Sequence, residues 1–143
     1  MIMEGNFYKL SQETIDTFEA AFRKKAFPVD TRFEYIGSAK QKKLIEISKV
    51  SDKYAFLIDK ELLVSINEDV MMTFDDESVA ILFEQEIDKI SINIDTGKVK
   101  MLKPDLATFS SLILKYGIEK IARANSLEDL YHKQKQDAEG DVI

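Results

Sequence analysis

Cysteine and tryptophan are absent from these 143 residues, and histidine occurs once, at His132. The lack of cysteine excludes a disulfide-stapled scaffold and fits a reducing compartment. With a single imidazole and no thiol, zinc sites built from three histidines, from two histidines and a glutamate, or from cysteines cannot form within one chain. Only two prolines and five glycines occur, which argues against a long flexible linker and suits one domain with a real core. No apolar run approaches the roughly 18–20 residues that span a bilayer. Met1 to Asn6 has neither a basic flank nor an apolar run, so no secretory signal is expected and a cytoplasmic location is the default. P-loop, Gly-x-Gly-x-x-Gly and Gly-x-Ser-x-Gly turns are missing, and Ser91, Ser110 and Ser111 have no suitable base beside them.

What is present is the balance of a soluble globular domain, with 45% hydrophobic and 32% charged residues. The net charge of -6 opposes general affinity for nucleic-acid backbones or anionic membranes. Basic clusters nonetheless stand at Arg23-Lys24-Lys25, at Lys40-Gln41-Lys42-Lys43 and at Lys98, Lys100 and Lys103. They read as solvated surface or, if gathered on one face, as a nucleic-acid contact.

Hydrophobic spacing outlines the elements. Ser11 caps a helix over about 11–26 with Ile15, Phe18 and Phe22 inward, and Arg32 to Ile36 reads as a strand ended by Gly37. Ala39 to Val50 fits either period. Of the apolar runs Tyr54 to Ile58 and Leu62 to Ile66, the second is the better strand. A helix is expected from Glu77 to Ile90, then a hairpin turning at Asp95-Thr96-Gly97-Lys98. Pro104 opens another helix that Gly117 closes. A further helix from Ile118 is expected to break at Asn125-Ser126 and restart there, and residues from Gln134 on to fray. The expectation is an α+β fold: a small sheet packed with an N-terminal helix, a central helix and C-terminal helices. Residues 1–135 would form the domain and 136–143 a flexible tail.

Projected at about 100° per residue, Val79, Phe83, Ile87 and Ile90 make one apolar sector, and Glu86 falls inside it. A carboxylate there is costly unless paired. It is either a partner for a lysine or for backbone N–H groups, or part of a site. Lys89 is close enough along the helix to pair with it.

The stretch from Leu62 to Gly117 resembles the phage metallopeptidase family, a small zincin-like group distantly similar to SprT-type peptidases. Leu63-Val64-Ser65-Ile66-Asn67 looks like the family's strand before the active helix, and Phe74-Asp75-Asp76-Glu77 like its acidic entry. Gln85-Glu86-Ile87-Asp88-Lys89 lies where the family carries His-Glu-x-x-His, and Pro104-Asp105 where a third His precedes Asp. The resemblance therefore implies that Gln85, Lys89 and Pro104 stand at former zinc-ligand positions and Glu86 at the general-base position. An amide is a poor zinc ligand, an ammonium repels a cation, and proline offers no donor. Without a metal-bound water, a lone glutamate has little to deprotonate.

No cofactor and no catalytic residue are expected. The leading reading is a non-catalytic, phage-derived zincin-like domain that binds a protein partner through the former cleft or the C-terminal helices. The alternatives are a hydrolase using a carboxylate-bound divalent ion and a nucleic-acid-associated accessory protein. For the hydrolase, Asp75, Asp76, Glu86 and Asp88, with Glu77 and Glu84, are the available oxygen donors. His132, between Tyr131 and Lys133, reads as a surface residue or a partner contact.

Overall fold

A computed structural model of the chain describes residues 6–25, 27, 31–102, 112 and 115–140, with side chains in the last helix described as far as Tyr131. Helix α1 (Gln12–Arg23) starts where Ser11 accepts the Thr14 N–H, and it buries Phe18 completely. Strands β1 (Phe7–Tyr8), β2 (Phe33–Ser38), β3 (Ile45–Lys49) and β4 (Leu62–Ile66) form one mixed sheet in the order β1-β2-β4-β3. β2 runs parallel to β4, pairing Phe33 with Leu62 and Gly37 with Ile66, whereas β1 and β3 are antiparallel to their neighbours. β4 therefore lies inside the sheet, and its Leu62, Val64 and Ile66 alternate into the core. β3 is an end strand.

Two short helices, a longer central one and a hairpin complete this frame. Helix α2 (Asp52–Ile58) links β3 to β4, and helix α3 (Glu68–Thr73) follows β4 under an Asn67 cap. The central helix α4 (Asp76–Ile87) is capped by Asp75 and buries residues on nearly every side. It packs against α1, β3 and the last helix, α5 (Ile118–Gly140). A hairpin of β5 (Ile90–Ile92) and β6 (Val99–Met101) follows α4 and brings β6 against β3. The core lies between the sheet, α1 and α4. There Phe18 meets Phe33 and Phe83 edge-on, with ring centres 5.2 and 6.0 Å apart.

The α+β expectation holds, with several local corrections. Gly37 does not end β2 but sits within it, because the Tyr8 ring lies on its Cα face; a Cβ there would come within 2.3 Å of that ring. The ambiguous 39–50 stretch is a bend followed by β3. Gln41 pins the bend by donating to the Lys43 and Ser65 carbonyls, both at 2.9 Å. The 54–58 run is helical, and α3 was not foreseen because its apolar residues are too few to show a period. α4 ends at Ile87, so Ile90 belongs to the hairpin, with Gly97 in the turn at positive φ. α5 passes Asn125-Ser126 without a break: the Asn125 amide donates to the Ile121 carbonyl one turn back. The helix expected from Pro104 lies largely outside the described residues, although Leu112, Lys115 and Tyr116 are helical and Gly117 has φ of 85°. No helix among the described residues is long and apolar enough to cross a membrane.

Candidate functional site

The candidate site lies where the last turn of α4 meets β3. The register of β3 on β4 turns the Ile47 N–H away from β4, toward α4. Glu86 reaches up from the helix and accepts that N–H through Oε2 at 3.3 Å. Its other oxygen, Oε1, accepts from Lys89 Nζ at 2.5 Å, with Lys43 Nζ at 4.0 Å. The carboxylate is 7% exposed, so both of its oxygens are satisfied by the protein itself. The neighbouring Gln85 is half-buried.

A second carboxylate holds the same strand from another helix. Glu128 of α5 accepts the Leu44 N–H at 2.6 Å. Burial pushes its carboxyl above the ordinary range, the Leu44 N–H and Lys43 draw it back, and Glu86 and Asp129 raise it further. β3 is thus stitched to α4 and α5 by two glutamates with Lys43 beside both. Ile121, Ala124 and Glu128 fall at helical spacing, so the same odd-residue-in-the-stripe signal that exposes Glu86 could also have revealed Glu128. Nothing in the spacing points to the two backbone N–H groups.

Beside this cluster opens a cleft of about 830 Å³, walled in part by Lys40, Lys43, Glu46, Ile47, Glu86 and Lys89. A larger groove of about 1050 Å³ runs between α1 and the α3–α4 turn. Its central acid, Glu68, is occupied in tying α3 to α1 through Ser11 Oγ at 2.8 Å and Thr14 Oγ1 at 2.5 Å.

The remaining acidic candidates are scattered along α4 rather than gathered. Asp75 caps the helix, accepting from Ser78 N and Oγ at 3.2 and 2.8 Å, and these bonds hold its carboxyl below the usual range. Arg123 stands 4.0 Å from Asp75, Lys120 is 3.2 Å from Glu77, Lys115 is 2.6 Å from Glu84, and Lys25 is 2.7 Å from Asp88. Asp76 is exposed at the helix start. Asp75 and Asp88 lie at opposite ends of a helix that rises about 1.5 Å per residue, so they cannot share an ion. No group of three or more His, Cys, Asp or Glu placed to hold a metal occurs among the described residues. Pro104 and the side chain of His132 lie outside them.

Comparison with known proteins gives one family match. Residues 3–135 match the model of the family described as "Putative phage metallopeptidase". No curated protein and no solved structure matches at a significant level. The family match spans nearly the whole chain, and with it the strand, the central helix and the cluster around Glu86; the chain belongs to the phage metallopeptidase family.

Proposed function

We propose that this domain keeps a metallopeptidase scaffold without peptidase chemistry, and that it acts as a phage-derived, non-catalytic module binding a protein partner. One observation carries the reading. Lys89 Nζ stands 2.5 Å from Glu86 Oε1, so a lysine ammonium is bonded to the carboxylate at the general-base position. Zinc, the metal the family resemblance implies, does not fit this donor set. The positions where the resemblance would put its ligands hold an amide (Gln85), a cation (Lys89) and a side chain without a donor atom (Pro104). The carboxylate is also engaged with the Ile47 N–H, so Glu86 serves the packing of β3 on α4 and is not free to take a proton from water. The cleft beside it offers both charge signs, from Lys40, Lys43 and Glu46, which suits recognition of a polar protein surface.

The catalytic half of the reading is tested with zinc dialysis and a peptidase assay on an unfolded protein substrate. The wild-type chain is expected to retain no stoichiometric zinc and to cleave nothing. Gln85→His/Lys89→His/Pro104→His is expected to gain zinc. Metal-dependent cleavage by the wild type that Glu86→Gln abolishes would overturn the proposal. The binding half is tested by cross-linking in the infected host cell, where Lys43→Glu together with Glu46→Lys should remove a discrete cross-linked species.

A second reading has its own observation. Lys40, Lys42, Lys43 and Lys89 all line the one cleft, as a nucleic-acid accessory protein would require. Binding to single-stranded DNA that falls steeply with salt would favour it over a protein partner.

A further inference from the structure

The groove of about 1050 Å³ between α1 and the α3–α4 turn shares no lining residue with the cleft beside Glu86. Two helices form its long walls. α1 contributes Glu13, Thr17, Ala20, Ala21 and Lys24, whose helical spacing puts them in one stripe. α4 contributes a second stripe of Asp76, Val79, Ala80 and Phe83. Alanines stand in both stripes, and their short side chains leave the channel between the walls open. From Glu13 to Lys24 the wall runs about 16 Å, or about three turns of helix. Met71, Met72 and Phe74, at the end of α3, close one side, and Met72 is 84% exposed. An unbranched thioether re-packs readily against what enters, which suits a receiving surface.

The charge on the rim selects the occupant. Glu13, Glu68, Asp69 and Asp76 line the groove, and Lys24 is the one cation among its lining residues. None of the four acids has an ion-pair partner among the described residues. Glu68 accepts from the Ser11 and Thr14 hydroxyls, which leaves its charge uncompensated. The acids on the other sides of α4 differ: Asp75, Glu77, Glu84, Glu86 and Asp88 each face a lysine or an arginine. An apolar floor under an uncompensated negative rim is complementary to an element with an apolar side flanked by cations. A channel about three turns long between two helices has the dimensions to receive a third, docked through apolar residues three and four apart.

We infer that this groove receives a basic amphipathic helix of a partner protein, its apolar side on Ala20, Ala80 and Met72 and its lysines or arginines toward Asp69 and Asp76. The inference does not depend on whether the cleft near Glu86 binds anything.

Fluorescence anisotropy of the full chain with a labelled synthetic helix of leucine and lysine, its leucines along one side, tests this. Saturable one-to-one binding is expected. A peptide with glutamate in place of lysine, and one of the same composition with its leucines spread around the helix, should each bind about tenfold more weakly or worse. Ala20→Arg, at an exposed position where helix propensity is kept, obstructs the channel and should weaken binding about tenfold with the melting temperature unchanged. Asp69→Asn/Asp76→Asn should weaken it about threefold to tenfold, whereas Glu34→Gln/Glu119→Gln, the same charge change outside the groove, should alter it by less than about twofold. Absence of saturable binding to the leucine–lysine helix, indifference to Ala20→Arg, or equal losses from the two neutralised pairs would each overturn the inference. So would a dimer of the peptide-free chain that Ala20→Arg breaks in sedimentation, because a second copy would then fill the groove.

Discussion

Replacing Glu86 separates a structural carboxylate from a catalytic one, and the expected costs follow from its partners. Glu86→Ala leaves the buried Ile47 N–H without an acceptor, a loss of about 1–3 kcal/mol. It also strands Lys89, whose side chain is 19% exposed. Complete isolation of a buried charge costs about 3–5 kcal/mol, but an ammonium near the surface can swing toward water and so incurs only part of that. The total for Glu86→Ala is therefore roughly 2–4 kcal/mol. Glu86→Gln keeps an acceptor for Ile47 and loses only the charge, so about 1–2 kcal/mol is expected. Lys89→Met removes the cation while Lys43 remains near the carboxylate, and Glu86→Gln/Lys89→Met should cost less than the sum of the two single changes by about 1 kcal/mol. Urea unfolding followed by circular dichroism gives all of these values. A coupling of zero between positions 86 and 89, or a loss under about 0.5 kcal/mol for Glu86→Ala, would refute the buried-pair account.

Two further perturbations probe the frame around the site. Gly37→Ala should destabilise by about 1–3 kcal/mol, because its methyl would meet a Tyr8 ring whose hydroxyl is held at 2.8 Å by the Glu68 N–H; the penalty should shrink in a Tyr8→Ala background, as measured by the same urea titration. Glu128 has its folded-state pKa raised above the unfolded value, so the folded chain keeps a proton there in a window just above the ordinary carboxylate pKa, where the unfolded chain has already released it. Stability from this group is therefore lost as pH rises through that window. Glu128→Gln, which keeps an acceptor for Leu44, should gain on the wild type as the pH rises above the ordinary carboxylate range, in melts at matched ionic strength.

The sequence exposed those parts of the molecule whose cause is local. Ser11 and Asp75 at helix starts, the alternation through β4 and the Gly97 turn each carry their own signal, and each element is present. A carboxylate inside the apolar stripe of α4 was enough to single out Glu86 and to suggest a lysine or a backbone N–H as its partner; the structure supplies both, in Lys89 and Ile47. Non-local causes were not legible. β3 looked as much like a helix as a strand because its identity comes from pairing with β4. Asn125 looked like a breaker because its polar side chain suits turns, whereas here it bonds back along α5. The acids Asp75, Glu77, Glu84 and Asp88 looked like a donor cluster because they are close in sequence, but each faces a different cation. The exposure of α2 could not be read from an apolar run, since hydrophobicity does not say which side of a helix finds a neighbour.

The central claim is that Glu86 is a protein-satisfied partner of Lys89 and the Ile47 N–H rather than part of a metal site, and a thermal melt of metal-stripped chain with and without Zn²⁺, Mg²⁺, Mn²⁺ and Ca²⁺ tests it most directly. An ion that binds only the folded state at about 100 times its dissociation constant adds roughly 2.7 kcal/mol, which moves the midpoint by several degrees in a domain of this size. The account predicts no saturable shift with any of the four. A saturable rise with one of them that disappears in Glu86→Gln would contradict it and return Glu86 to the chemistry of a bound metal.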